Sequence, residues 1–512
     1  MIETRSRWCA GLLLFLASAP WFVGAQERAA ERSDVARFRQ RAEGALSAGG
    51  AGKGFWGALV TDADTGEILY ALNSARYFTP ASNAKLFTTA LALATLGPDF
   101  RIRTTIEAAG NLDRTGRLRG DLVLVGRGDA NLSNRVFPFA QQVQRDGPPE
   151  KVLAEMAQSV VQRGVKQIDG DVVADDSYLA LGRFPSGWTV DDTVWSYGAA
   201  VSAISVNDNT VTLEVRPGEA AGAPLRFDLK PLPGVYKVRN DAATSAAGTE
   251  EQLRISRDPE SRVFYLSGTL PLGAPPHVLP LAVQEPAENA AALLEQLLKA
   301  RGIRIMGHSR ARHAGDPGPS VPSAPRTVLV EHLSPPLIED VRLTNKISDN
   351  LHAELLLRVA AKEKGGAESL DDALKFATQF RQDGGLAADD ALLKDGSGLS
   401  RDDLVTPEGV VRLLSYVAKQ PWATDFVATL PVAGEDGTLE RRMKGTAAAG
   451  RIHAKTGQVD HVEALSGFAV SLRGEHLIFS ILGNNDAVSG RDAAATVDSF
   501  CVAMVEELGP GQ

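Results

Sequence analysis

Cysteine is scarce in this chain. Only two occur among 512 residues, Cys9 and Cys501, and Cys9 lies inside an apolar N-terminal stretch. If that stretch is removed, Cys501 remains alone, which excludes an internal disulfide. A single thiol near the C-terminus is predicted to be a small buried apolar residue.

Long apolar runs are absent beyond the N-terminus. Two arginines precede an apolar run from Trp8 to Val23, and the small residues that follow end at Ala25. This pattern predicts a cleaved signal peptide at 1–25 and an exported protein, periplasmic or extracellular. The alternative is a retained membrane anchor, but the run is short and Pro20 interrupts it. No integral membrane span is expected after cleavage.

Several motifs of other protein classes are also missing. The net charge is −9 and the basic residues form no stripe, which argues against a nucleic-acid partner. The eight histidines show no spacing typical of metal ligands. The chain has no Gly-x-Ser-x-Gly elbow, and the glycines at 126 and 128 lack the third glycine of a dinucleotide-binding loop.

What the sequence does contain is hairpin-like patterning at both ends of the chain. Alternating apolar residues separated by turns predict a strand pair near each end, and helical spacing predicts a flanking helix at each end. We therefore expect one sheet built from both chain ends and covered by terminal helices. The predicted strands are 56–60, 67–70, 465–472 and 476–482, and the predicted helices are 26–48 and 490–508.

The middle of the chain has a different character. Short β-like runs separated by turns extend over 101–330, which predicts one or two β-rich domains inserted into the first. The proline-rich segment Ser309–Arg326 is predicted to connect back to that first domain. The expected organisation is a domain made of 26–100 and 331–512, interrupted by this insertion.

The first motif of chemical interest is Ser-x-x-Lys, formed by Ser82 and Lys85 at the start of a predicted helix. Pro80 occupies a position where helices commonly begin. Residues three apart share a helix face, so the Lys85 amine can activate the Ser82 hydroxyl if its pKa is lowered. By itself the pattern fits equally well an N-cap serine beside a solvated lysine.

The second motif is Ser348-Asp349-Asn350, which precedes another helical run. From a turn, Ser348 could relay a proton and the Asn350 amide could bind a peptide backbone. Serine and asparagine are also common in turns and at helix N-termini, so this motif is weak when taken alone.

The third motif, Lys455-Thr456-Gly457, is the only Lys-Thr-Gly in the chain. On a strand that borders a cleft, Lys455 supplies positive charge and Thr456 a hydroxyl donor. Gly457 permits a ligand to approach the backbone closely. These groups suit a terminal carboxylate, although a surface strand with a solvated lysine is the simpler alternative. The three motifs in this order are far more specific than any one of them.

In this order the motifs resemble those of the penicillin-recognising serine enzymes. The 266 residues from Ser82 to Ser348 leave room for a large insertion. That spacing is similar to the class C low-molecular-mass penicillin-binding proteins, the D-alanyl-D-alanine carboxypeptidase/endopeptidase family, peptidase family S13. The segments 120–126, 334–337 and 395–400 also look similar to that family.

The resemblance implies an α+β transpeptidase-like domain, with an antiparallel sheet flanked by helices and interrupted by inserted β-rich domains. It implies hydrolysis of D-alanyl bonds in peptidoglycan stem peptides and cross-links through an acyl-enzyme on Ser82. Lys85 would be the general base, and Ser348 would pass a proton to the leaving group. β-Lactams would be covalent inhibitors, and no metal or organic cofactor is implied.

The same resemblance assigns the substrate-binding residues. Asn350 would bind the peptide backbone, Lys455 and Thr456 the terminal carboxylate, and the N–H groups of Ser82 and Gln458 the oxyanion. The family usually has threonine after Lys-Thr-Gly, so Gln458 removes a hydroxyl that its own amide could replace. The balance between carboxypeptidase and endopeptidase action therefore stays open.

Three interpretations remain beside this one. Asp175 could contact an amine of the stem peptide, although a surface turn is the preferred interpretation for it. The chain could instead be a β-lactamase or esterase on the same scaffold, or a non-catalytic cell-wall binding protein. The presence of Ser82, Lys85, Ser348 and Lys455 together favours an enzyme, because binding alone does not need all four.

Overall fold

The N-terminal segment forms a helix, a hairpin and a second helix. The computed structural model describes residues 32–140, 144–180, 182–231, 235–316, 326–485 and 490–509. The predicted signal peptide, 1–25, lies outside these residues. The elements of this segment are α1 (Ser33–Ser47), β1 (Phe55–Asp62), β2 (Ile68–Leu72) and α2 (Ala84–Leu96).

The inserted part follows α2 and consists mainly of short strands. Two helices lie among them, α3 (Lys151–Gln162) and α4 (Pro286–Ala300). The strands are β3 (Arg103–Leu112), β4 (Arg117–Val125), β5 (Gln167–Ile168), β6 (Val172–Asp175), β7 (Thr210–Arg216), β8 (Arg226–Lys230), β9 (Lys237–Asn240), β10 (Ala243–Ser245), β11 (Arg254–Arg257), β12 (Val263–Ser267), β13 (Thr269–Pro271), β14 (His277–Ala282), β15 (Arg304–Ile305), β16 (Ser309–Arg312) and β17 (Arg326–Leu333).

These strands assemble around two separate apolar cores. A seven-stranded sheet contains β3 to β6 and β15 to β17, and its buried side chains pack against α3 and α4. A second core, which includes Leu213 and Phe264, lies among the smaller sheets of β7 to β14. The β-rich insertion predicted from the sequence is present, while its domain limits at 101 and 330 stay a prediction.

The predicted connector, Ser309–Arg326, differs from the expectation at its start. Residues Ser309–Arg312 form β16, which pairs in parallel with β6. The predicted connector therefore begins four residues too early. Its prolines, on which the prediction rested, lie within 317–325. Residues 317–325 of this connector lie outside the described part of the chain.

The C-terminal segment begins with three helices and ends with a hairpin and a helix. Within the described residues, no helix combines the length and apolar character needed to cross a bilayer. The elements are α5 (Leu337–Ile347), α6 (Asn350–Gly365), α7 (Leu370–Asp383), β18 (Ala391–Leu392), β19 (Leu404–Val405), α8 (Pro407–Val417), α9 (Ala423–Thr429), β20 (Ile452–Val459), β21 (Val462–Val470), β22 (His476–Asn484) and α10 (Gly490–Glu507).

Strands from both ends of the chain form one antiparallel sheet in the order β2-β1-β22-β21-β20. On one face, Phe38 of α1, Tyr70 of β2 and Phe500 of α10 contact one another edge-to-face, with ring centroids 5.3–5.7 Å apart. The other face packs against α2, α5 and α8. Cys501 is fully buried, as predicted. The predicted sheet, with helices on both faces, is confirmed.

Candidate active site

Ser82 lies in a single 3-10 turn, Ala81–Asn83, directly before α2. Lys85 is the second residue of α2, and its Nζ lies 2.8 Å from Ser82 Oγ. The backbone enters the turn through Ala81 at a φ of 46°, a left-handed value that residues with a side chain rarely adopt. The predicted contact between positions i and i+3 is present, although the serine precedes the α-helix.

The Lys85 side chain is fully buried. Its Nζ also lies 2.5 Å from Asn350 Oδ1 and 2.7 Å from the Ser397 carbonyl oxygen. Burial lowers the pKa of Lys85 to about 8, and neighbouring carboxylates, Asp395 first, oppose that shift. A neutral amine has two N–H groups and one lone pair, and these two oxygens can only accept. The lone pair therefore faces the remaining contact, the Ser82 hydroxyl.

Ser348 and Asn350 lie where α5 ends and α6 begins. Ser348 adopts a left-handed conformation, with a φ of 62°, and Asp349 caps α6 by accepting the His352 N–H at 3.1 Å. Asn350 Nδ2 donates to the Tyr197 carbonyl oxygen at 2.8 Å. Because that bond fixes the orientation of the amide, Asn350 Oδ1 is the atom that faces Lys85. Both side chains therefore face one cleft, as predicted.

Strand β20 carries the Lys-Thr-Gly motif at the edge of the sheet, as predicted. Lys455 is fully buried, and its Nζ lies 2.8 Å from Ser348 Oγ and 2.8 Å from the Thr456 carbonyl oxygen. Burial, and after it the charge of Lys85, lower the pKa of Lys455 well below its usual value. Burial and the charge of Lys85 thus favour the neutral form of Lys455 in the free protein.

The rest of the motif lies on either face of β20. Thr456 Oγ1 is 2.8 Å from Thr438 Oγ1, and the Gln458 side chain is exposed. A Cβ at Gly457 would lie only 2.5 Å from the Pro80 carbonyl oxygen. The group that closely approaches this glycine is therefore the turn that precedes Ser82, whereas the sequence suggested a ligand.

The three motifs meet at one cavity of about 330 Å³. Ser82, Ser348, Asn350 and Gln458 contribute to its wall, and Lys455 touches the Ser348 side chain from behind. Charged groups of both signs complete the lining. They are Asp192 from the insertion, Arg401 from the loop after β18, and Asp460 from the turn after β20.

Asp175, which the sequence offered as an alternative contact for a stem-peptide amine, lies elsewhere. Asp175 is buried at the end of β6, where it pairs with Arg326 at 3.1 Å, so it is neither a surface turn residue nor part of this cavity. The acidic residue that the insertion does supply is Asp192. The sequence offered no signal for it, because a single aspartate in a loop has no recognisable spacing.

The loop Asp395–Ser400, which the sequence singled out only by its resemblance to the family, also contributes to the site. Asp395 accepts the N–H groups of Ser397 at 3.0 Å, Gly398 at 2.6 Å and Ser400 at 2.9 Å. This wrapping points the Ser397 carbonyl oxygen at Lys85. The functional atom belongs to the backbone, so residue types alone could not reveal it.

Comparison with known proteins agrees with this geometry. Residues 42–504 match the family described as the D-Ala-D-Ala carboxypeptidase 3 (S13) family. The chain belongs to this family. A D-alanyl-D-alanine carboxypeptidase of Actinomadura sp. (strain R39) is 36% identical over 464 residues, which cover 88% of this chain and 81% of that protein. The predicted family, and with it a serine-type D-Ala-D-Ala carboxypeptidase, is confirmed.

More distant relatives show how far the likeness extends. D-Alanyl-D-alanine carboxypeptidase DacB of Haemophilus influenzae is 27% identical over 437 residues, covering 83% of this chain and 84% of that protein. The crystal structure of penicillin-binding protein 4 (dacB) from Haemophilus influenzae superposes with a TM-score of 0.78 at 24% identity. It covers 92% of this chain and 98% of the other, so the predicted fold extends over nearly the whole molecule.

Proposed function

We propose that this S13 hydrolase cleaves D-alanyl peptide bonds of peptidoglycan stem peptides through an acyl-enzyme on Ser82. One observation carries the proposal: a buried lysine amine lies 2.8 Å from the Ser82 hydroxyl. Its pKa of about 8 leaves part of the amine uncharged near neutral pH. A positioned base of this kind typically contributes about 10²–10⁴ in rate.

In acylation, Ser82 Oγ attacks the carbonyl carbon of the penultimate D-alanine while its proton moves to Lys85. The N–H groups of Ser82 and Gln458 are the proposed donors to the oxyanion. Ser348 then gives its proton to the departing nitrogen and regains one from Lys85. In deacylation, a water molecule loses a proton to Lys85 as it attacks the ester carbon, and Ser82 Oγ leaves and takes that proton back from Lys85.

Substrate binding is proposed to centre on the terminal carboxylate. A carboxylate beside Lys455 and Thr456 would favour the charged form of Lys455. That charge would in turn favour the neutral form of Lys85, which is the form that can accept a proton. Asn350 would bind the peptide backbone beside the scissile bond. Gly457 would keep β20 close to Ser82, so that the scissile bond and the terminal carboxylate are bound at the same time.

We further propose that the enzyme also cuts D-alanyl cross-links. Gln458 offers no hydroxyl to a terminal carboxylate, and its side chain is exposed, so the free terminus is held by fewer groups than a threonine would provide. The charged residues Asp192 and Arg401 suit a substrate with charged side chains. Because such peptides lie outside the cytoplasm, we propose export to the periplasm or the cell exterior.

The test is intact-protein mass spectrometry after treatment with benzylpenicillin. We expect a lasting adduct on the wild-type protein and none on Ser82→Ala. An adduct that persists in Ser82→Ala would show that another residue is the nucleophile. Rapid penicillin turnover without a lasting adduct would indicate a β-lactamase, and no adduct with no released D-alanine would indicate a binding protein.

A digest of purified cross-linked muropeptides separates the two proposed activities. Free D-alanine reports carboxypeptidase action, and separated stem peptides report endopeptidase action. Release of D-alanine with all cross-links intact would restrict the enzyme to carboxypeptidase action.

A further inference from the structure

Thr438 contacts Thr456, the residue proposed to bind the substrate carboxylate, and no sequence motif predicts this contact. It lies 18 positions before Thr456 in the chain, and the two Oγ1 atoms are 2.8 Å apart. Thr438 belongs to a 3-10 turn, Gly437–Leu439, and its side chain is exposed. A second hydroxyl therefore touches the one proposed to bind the substrate carboxylate.

Contacts other than the Thr438 hydroxyl anchor the turn that carries Thr438. Asp436 accepts the Val432 N–H at 2.9 Å and binds the Lys346 ammonium. A Cβ at Gly437 would lie 2.8 Å from the Lys346 carbonyl oxygen, so glycine lets the turn contact the end of α5. Ser348 follows two residues later. The turn is thus anchored to the element that also carries a proposed catalytic serine.

Either hydroxyl can be the donor in this contact, and the surroundings of Thr456 favour one of the two directions. Each threonine hydroxyl has one hydrogen and can also accept. If Thr438 donates to Thr456, the Thr456 hydrogen is left for a third group. In the structure, two neutral oxygens contact Nζ of the preceding residue, Lys455. The third group best suited to accept the Thr456 hydrogen beside that amine is therefore an anion. Gln458, which has no hydroxyl, makes the orientation of Thr456 more important.

We propose that Thr438 is a positioning residue for the terminal carboxylate of the substrate. Its hydroxyl donates to Thr456 Oγ1 and thereby directs the Thr456 hydrogen toward the carboxylate. This inference rests on the proposed function, since it assigns a further residue to the same binding site. It makes Thr438 a determinant of preference for ligands with a free carboxylate.

The experiment compares acylation of the protein by benzylpenicillin, which has a free carboxylate, and by its methyl ester. The variants are Thr438→Val, which keeps the shape, and Thr438→Ser, which keeps the hydroxyl. We expect Thr438→Val to slow acylation by benzylpenicillin by about twofold to tenfold, the size of one lost hydrogen bond between neutral groups. Acylation by the ester should stay unchanged, and Thr438→Ser should restore the wild-type preference.

Thr446→Val is the matched control, because Thr446 lies on the same loop and its hydroxyl donates only to Met443 O, at 2.7 Å. We expect it to keep the wild-type ratio of the two rates. An unchanged ratio in Thr438→Val, with adducts still forming, would overturn the inference and leave the proposed function intact. Equal slowing with both compounds would also overturn it, because that indicates a general structural effect. No adduct on the wild-type protein would overturn both.

Discussion

At the residue scale, the chemistry depends on the protonation state of Lys85. The amine can accept a proton from Ser82 only when it is uncharged. Since burial lowers the pKa of Lys85 to about 8, the reactive form grows as pH rises through that value. We expect the acylation rate of the wild-type protein by benzylpenicillin to fall as pH decreases below about 8. A stopped-flow pH profile measures this.

Lys85→Gln should remove that pH dependence and slow acylation by about 10²–10⁴, the usual contribution of a general base. Lys364→Gln is the control, since Lys364 is exposed near the end of α6, and it should match the wild type. A wild-type profile that stays flat between pH 6 and 9 would contradict the assignment of Lys85 as base.

At the element scale, the closeness of β20 to the Ser82 turn depends on Gly457. A methyl group there would meet the Pro80 carbonyl oxygen at 2.5 Å and the Asn83 N atom at 3.1 Å. We expect Gly457→Ala to lower the free energy of unfolding by about 1–3 kcal/mol, as overpacking usually does, and to slow acylation strongly. Urea unfolding and adduct formation measure the two effects.

The matched control for that substitution is Gly44→Ala. Gly44 lies in α1, and a Cβ there meets nothing within 4 Å. Alanine at a helix position should raise stability by about 0.5–1 kcal/mol and leave acylation unchanged. Wild-type acylation in Gly457→Ala would show that the site tolerates a wider separation of strand and turn.

The loop Asp395–Ser400 provides a second test at this scale. Asparagine has one acceptor oxygen, whereas Asp395 uses both: Oδ1 accepts from Ser397 and Gly398, and Oδ2 from Ser400 and Trp188. We expect Asp395→Asn to lower stability by about 1–3 kcal/mol and to slow acylation, because the Ser397 carbonyl is no longer held toward Lys85.

Asp402→Asn is the control for this loop, since its carboxylate is exposed and, among the described residues, makes only a long contact of 3.5 Å to Ser186 Oγ. Both variants should be compared by thermal unfolding and by the pH profile of acylation. If Asp395→Asn retained the wild-type profile, the loop would have no influence on Lys85.

Elements also show what the sequence could predict. The hairpins at both chain ends were predictable because each strand alternates locally, and the same short-range patterning placed Lys455 on a strand. The partners of Lys85 were less accessible. Asn350 was found through its motif. The Ser397 carbonyl oxygen that contacts Lys85, and the Tyr197 carbonyl oxygen that orients Asn350, carry no residue-type signal. The positions of these carbonyl oxygens are set only when segments distant in the sequence pack together.

At the scale of the whole molecule, the insertion takes part in shaping the site. The Tyr197 carbonyl oxygen orients Asn350. Beside it, Arg135 and Arg145 both bind Asp208, which lies in a run of three left-handed residues, Asn207–Asn209. Such backbone conformations persist only where surrounding contacts hold them. The sequence gives no signal for this segment, because its partners come from elsewhere in the chain.

Asp208→Asn tests this connection. The substitution removes the nearer of the two carboxylates paired with the buried Arg135 guanidinium and leaves Asp349 at 3.8 Å, so we expect the free energy of unfolding to fall by about 1–3 kcal/mol. Acylation should slow as well. Arg135, Arg145 and Asp208 line a second cavity, and Tyr197 and the Ser348–Asn350 turn line that cavity too. Asp228→Asn, at an exposed pair with Lys230 on β8, is the control and should change neither quantity.

The same carboxylate predicts how stability depends on pH. Burial raises the pKa of Asp208, but His352, whose Nε2 lies 3.8 Å from Asp208 Oδ1, and the charges of Arg135 and Arg145 outweigh it and lower that pKa overall. A carboxylate with a lowered pKa stabilises the fold above its unfolded-state pKa, near 4, and loses that contribution as pH falls. Wild-type stability should therefore drop below about pH 4 more steeply than that of Asp208→Asn. Parallel decline of the two proteins in acid would show that Asp208 contributes no linked stability.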